Sequence, residues 1–158
     1  MSRYANGTQV AIERTEAEIK RTLMRYSADD VVTGMSSRRG VAFVQFVYDD
    51  LQIEARIPIP KQDAEEFQLT PRGRDRSESV AFRDWEKACQ QQWRILLLLI
   101  KAKLEAIENR VVTPEQEFLP WLMLPDSRTV GAALEPDIRK ALAGGNVPLL
   151  PAFTDRTA

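Results

Sequence analysis

The sequence predicts an α+β fold: an N-terminal helix, a three-stranded antiparallel meander, a long central helix, two shorter C-terminal helices and an extended tail. Three observations predict it. Phe82, Trp85, Cys89, Trp93, Leu96, Ile100, Leu104 and Ile107 recur at steps of three and four, an apolar stripe held for about eight turns of one helix over 79–109. Apolar-rich runs at 41–48 and 51–59 flank Asp49-Asp50, the pattern of two strands joined by a tight turn. Thr15 and Thr113 each stand three residues before a Glu or Gln, as capping boxes do. A chain of 158 residues suits one domain with a hydrophobic core.

Residues 1–7 read as a loose start, and 8–14, with Val10 and Ile12, as a short edge strand or an extended arm. Thr15 caps the first helix with Glu18 closing the box; Ile19, Leu23 and Tyr26 form its buried face, and 27–30 end it. The strands follow at 31–35, 41–48 and 51–59, completing the 8–60 unit. A two-residue turn at Asp49-Asp50 sets Tyr48 opposite Leu51, Phe46 opposite Ile53, Val44 opposite Ala55 and Ala42 opposite Ile57, all on one face. Val47 with Gln52, Gln45 with Glu54 and Phe43 with Arg56 then occupy the wetter face. Pro58 and Pro60 cannot donate to a ladder, so the third strand ends as an edge.

Residues 61–78 form a charged loop, acidic at 63–66 and basic at 71–76, long enough to be functional or disordered. The central helix carries a second stripe, Ile95, Leu99, Ala102 and Ala106, so the rest of the protein is expected to pack on it from two directions. The C-terminal helices occupy 113–143. Thr113, Pro114 and Gln116 start the first, with a kink at Pro120; the second begins at Thr129, is interrupted at Pro136 and stops at Gly144-Gly145. The apolar, proline-fixed segment 146–153 reads as a docked strap. The second stripe leaves self-association, as a dimer or larger ring, open beside cover by the C-terminal helices and strap.

Net charge is −1, so global charge does not advertise a polyanion partner. The single cysteine rules out an intramolecular disulfide framework and fits a cytoplasmic protein. The N-terminus lacks the apolar core of a signal peptide, and the six-residue-scale apolar run at 95–100 is too short to cross a bilayer. There is no histidine, which excludes Ser-His and Cys-His nucleophile systems and histidine metal ligands. No phosphate-loop or dinucleotide motif occurs, so no cofactor or catalytic residue is assigned and a non-enzymatic role is expected. Cys89 on the apolar stripe reads as a buried thiol. The carboxylate pairs Asp29-Asp30 and Asp49-Asp50 could contribute to a magnesium site, and Glu54 with Arg56 faintly echoes the acid–x–lysine spacing of some nucleases, but arginine stands where a lysine is needed and the second pair is turn chemistry.

A basic constellation is the candidate site. Arg72, Arg74 and Arg76 alternate through the loop, and Arg38-Arg39 sit in the first hairpin turn. Arg83, Lys87, Gln90, Arg94 and Lys101 fall on one row of the long helix. Guanidinium forks and amides both donate to phosphate oxygens. Phe43, beside Arg56 on the wetter sheet face, would offer a stacking surface for a base. The alternative is a solvated face balanced by Asp84, Glu86, Glu105 and Glu108.

The order of helix, three antiparallel strands and long helix resembles two folds. One is the double-stranded RNA-binding domain, whose lysine-rich helix start has no counterpart here. The other is the phage single-strand annealing proteins, in which a meander is crossed by a long helix and copies assemble as rings on DNA. The stretches Val10-Ala-Ile-Glu-Arg-Thr-Glu-Ala-Glu-Ile, Trp93-Arg-Ile-Leu through Lys101-Ala-Lys-Leu-Glu-Ala, Glu117-Phe-Leu and Leu124-Pro-Asp-Ser-Arg-Thr-Val are similar to small accessory proteins of phages and prophages. The resemblance implies a mobile-element protein in a bacterial cytoplasm. It leaves two roles: binding or annealing single-stranded DNA, or non-catalytic counter-defence by sequestering a small anionic nucleotide or blocking a host protein.

Overall fold

The computed structural model describes residues 3–145, with side chains described from residue 11 onward; the strap expected at 146–153 lies outside the described residues. The chain is α+β, in the order helix, three-stranded antiparallel meander, long helix, short C-terminal helices.

Helix α1 spans Arg3–Arg25, so the extended arm expected at 8–14 and most of the loose start at 1–7 are helical instead. The alternation of Val10 and Ile12 was too short to mark a strand. Ile12, Thr15, Ile19, Thr22 and Leu23 continue a helical stripe through it and are all buried. Thr15 therefore caps nothing: it lies mid-helix, and its hydroxyl donates back to the Ala11 carbonyl at 3.1 Å. The helix ends where Ser27 turns left-handed, at φ 64°, and Ala28 N–H donates to the Leu23 carbonyl.

Strands β1 (Asp29–Ser36), β2 (Val41–Tyr48) and β3 (Leu51–Pro58) pair in the order β1-β2-β3. Asp49 and Asp50 both have positive φ, 50° and 61°, the turn whose twist matches that of the flanking strands. It fixes the expected register from Tyr48↔Leu51 through Phe43↔Arg56 to Ala42↔Ile57. Ala42, Val44, Phe46, Ile53 and Ala55 face the core, each no more than 2 % exposed. The other face departs from expectation at Glu54, which is buried because Gln45 and Arg56 both donate to its carboxylate and fold over it.

The core face is covered by α1 and by α3 (Glu78–Glu108), which run in the same direction. Ile12 and Glu16 lie beside Phe82 and Glu86, while Tyr26 donates to Glu105 further along. From Trp85 to Leu104 the principal stripe of α3 is buried, with Trp93, Leu96 and Ile100 at 0 % exposure. Helix α4 (Pro114–Phe118) begins with the expected capping box at Thr113. The chain then tightens into a single 3₁₀ turn, Leu119–Trp121, at Pro120. Phe118 is fully buried against Phe46 and Tyr48, and Lys103 ties this corner to α3 by donating to Glu117 while sitting 4.8 Å over Trp121.

Among the described residues most of the second stripe of α3 is uncovered: Ile95 and Leu99 are 47 % and 41 % exposed and Ala102 is also exposed, while Ala106 is half-buried. The sheet, α1 and α4 occupy the other sides of the helix. Helix α5 (Val130–Gly144), which was expected to contribute cover, packs on the 119–121 turn instead. It runs through Pro136 without interruption. The carbonyl that residue 136 would have bonded belongs to exposed Ala132 and is open to solvent.

Candidate anion-binding cleft

The meander sets the β1–β2 turn and the end of β3 side by side, because Val41 pairs with Pro58. Gly40, at φ 65°, lets the chain turn there; its carbonyl accepts from Ile59 N–H at 3.0 Å. Arg38 is thereby carried next to Lys61, the second residue after Ile59.

The loop 61–78 is compact rather than open. It contains a one-turn helix, α2 (Glu65–Gln68), anchored by buried Phe67. Thr70 N–H donates to the Arg74 carbonyl and Arg76 N–H to the Gln68 carbonyl, both at 2.7 Å, closing a small hairpin around Gly73. Trp85 Nε1 donates to the Pro60 carbonyl at 2.8 Å, pinning the start of the loop to α3. Between the turn, the loop and the first turns of α3 lies a cleft of about 650 Å³. Arg38, Lys61 and Arg76 bring cations to it, Asp63 and Glu78 bring carboxylates, and Phe82 supplies an aromatic wall.

Its cations are held differently. Arg76 is fixed by Asp84 at 2.6 Å, so it acts as a positioned donor rather than a free charge. Arg38 and Lys61 are exposed. Arg72 and Arg74 stand at the exposed hairpin tip, and Arg39 is exposed in the neighbouring turn. On α3, Arg83 leans on Asp84 at 3.5 Å, while Lys87 and Arg94 are exposed. Lys101 is drawn toward α1 by Glu18 at 2.6 Å. That hydrogen bond and the Lys101 charge hold the Glu18 carboxyl below its usual range, with smaller help from Arg21 and Arg94.

The structure thus brings Arg38 and Arg76 together at the cleft, while Arg83, Lys87 and Arg94 are exposed on α3 outside its lining. Phe43 and Arg56 lie apart from them. Their side chains point to the opposite face of the sheet, Arg56 is engaged by Glu54, and the Phe43 ring lies over Gly34, where an added Cβ would meet it at 2.5 Å. Lys61 and Phe82 escaped the sequence reading as site residues. The signal for Lys61 was the hairpin register, which already placed the end of β3 beside the Arg38 turn. Phe82 had been assigned wholly to the core stripe, yet it stands half-buried at its end.

Among the described residues no cluster of three or more Cys, Asp or Glu is arranged to hold a metal ion. Among them no helix is long and apolar enough to cross a membrane. Burial pushes the Cys89 thiol up to about 11, with the Glu86 charge adding to it. Compared with known protein families, with curated proteins and with solved structures, the chain matches none.

Proposed function

We propose that this is a non-catalytic accessory protein of a phage or prophage that binds single-stranded nucleic acid through its backbone phosphates. The observation that carries the reading is the convergence of Arg38, Lys61 and Arg76 with Phe82 in one cleft. Arg72 and Arg74 are exposed at the tip of the loop hairpin, and Arg83, Lys87 and Arg94 are exposed on the helix that contributes Phe82. Guanidinium and ammonium groups spaced along a groove suit a chain of phosphates, and an aromatic wall suits an unstacked base.

The second reading is capture of a small anionic nucleotide, favoured by the cleft volume, which falls within the range of small-ligand pockets. Fluorescence anisotropy separates the two. The probe is a labelled oligothymidylate of about 30 nucleotides, beyond the roughly 16 that one domain covers. The competitors are unlabelled thymidylate oligomers of decreasing length, down to the mononucleotide. Strand binding predicts saturable binding that weakens steadily as the competitor shortens. Equal competition by the mononucleotide would favour the pocket reading, and no binding of the labelled strand at low salt would refute strand binding.

A further inference from the structure

Among the described residues, two apolar helix faces lack a partner. On α3, Ile95, Leu98 and Leu99 are 47, 65 and 41 % exposed, and Ala102 extends the face. On α5, Leu134, Ile138 and Leu142 are 47, 53 and 59 % exposed and recur every four residues, forming one stripe. Helix α5 touches its own body only near its start. Gly131 lies so close to the 119–121 turn that an added Cβ would stand 2.8 Å from the Pro120 carbonyl oxygen. From Leu134 to Gly144 every residue is exposed, an arm projecting by roughly 16 Å. A helix of 15 residues with a proline inside it is marginal in water when nothing packs along it.

We propose that a second copy of this chain covers both faces. In a symmetric dimer, α5 of each copy lays Leu134, Ile138 and Leu142 along Ile95, Leu98, Leu99 and Ala102 of its partner. The faces match in length, roughly 10 Å on α3 and 12 Å on α5 at the helical rise. The exchange is isologous, so it closes at two copies and leaves neither face open.

The area suffices for a dimer of modest affinity. The exposed fractions of the six large side chains amount to about three whole side chains per contact, hence about six per dimer. At roughly 100 Å² of apolar surface each, as follows from the usual transfer energies, that is about 600 Å². With the roughly 60 % apolar share of ordinary interfaces, the total is about 1,000 Å², at the lower bound for specific association. The pairing stands independently of the nucleic-acid reading.

Sedimentation velocity on the full chain, from about 1 to 100 μM, tests it, since interfaces of this size assemble in that range. Wild type is expected to pass from monomer to dimer. Leu98→Lys and Ile138→Glu, both at exposed positions and with unchanged far-UV circular dichroism, are each expected to remain monomeric. Mixing the two variants should restore a dimer. The mixed pair keeps one unaltered contact and sets the introduced charges against each other in the other. A dimer of Leu98→Lys alone would mean α5–α5 pairing, and a dimer of Ile138→Glu alone would mean α3–α3 pairing. Either result, a wild type monomeric throughout (as when residues 146–158 cover the faces instead), or a mixture that stays monomeric would overturn the proposal.

Discussion

Trp93 is the most buried large side chain of the central helix, at 0 % exposure, and its indole N–H finds no acceptor among the described residues. Two substitutions there should separate shape from polarity. Trp93→Ala removes the whole ring and leaves a cavity in the layer between α1, α3 and the sheet, which should cost about 3–5 kcal/mol. Trp93→Phe removes two ring carbons and the N–H group. The carbons cost about 1.5 kcal/mol in transfer energy, and the small void adds about 1 kcal/mol. Against that, an unpaired buried donor is itself a penalty of about 1–3 kcal/mol, which the phenyl ring relieves. The net expectation for Trp93→Phe is a loss of no more than about 1.5 kcal/mol. Urea unfolding followed by far-UV circular dichroism measures both variants; with a slope of about 2 kcal/mol per molar, they should differ by at least about 0.7 M in midpoint. A Trp93→Phe variant as unstable as Trp93→Ala would refute the reasoning, because the N–H would then have to be paired.

Three further outcomes follow from named contacts. With its thiol pushed up to about 11, Cys89 should be almost wholly protonated at pH 8 and resist an aromatic disulfide reagent until urea unfolds the chain; rapid labelling in native buffer would contradict its burial. Lys101 holds the Glu18 carboxyl below its ordinary 4.5, so the folded chain takes up that proton less readily than the unfolded chain. The pair's stabilisation is therefore whole above that pH and lost as the pH falls below it, and carboxyl titration by NMR should show Glu18 rising toward 4.5 in Lys101→Met. Gly40→Ala should cost about 1–2 kcal/mol in urea unfolding, since φ is 65° and the new Cβ would lie 3.1 Å from the Ile59 carbonyl oxygen.

The meander was legible because Asp49-Asp50 sets the parity of both strands: a slip of one residue would expose Phe46 and Ile53. The principal stripe of α3 was legible for a similar reason, its step size holding for many turns. Local hydrogen-bonding signals were less decisive. Thr15 and Glu18 spell a capping box as well as Thr113 and Gln116 do, yet only the second is used. The apolar stripe of α1 continues upstream of Thr15, and burial of Ile12 outweighs a cap. The length of 61–78 read as a functional or disordered connection, and its order was not legible: Phe67 and two backbone hydrogen bonds across Gly73 close it. For the candidate site, residue type was readable but convergence was not. The register already set Phe43 and Arg56 on the wetter sheet face, but not that the cleft lies away from that face, at the end of the sheet beside Arg38.

The salt dependence of oligonucleotide binding tests the central claim most directly. Each phosphate contact to a single strand contributes about −0.7 to the slope of log affinity against log salt. If four to six of the exposed cations of the cleft, the hairpin tip and the α3 row are engaged, the slope should be roughly −3 to −4, a loss of roughly 60- to 250-fold between 50 and 200 mM salt. Arg72→Ala with Arg74→Ala should then reduce the slope by about 1.4. A slope near zero, or one that this double variant leaves unchanged, would contradict phosphate binding at this cleft.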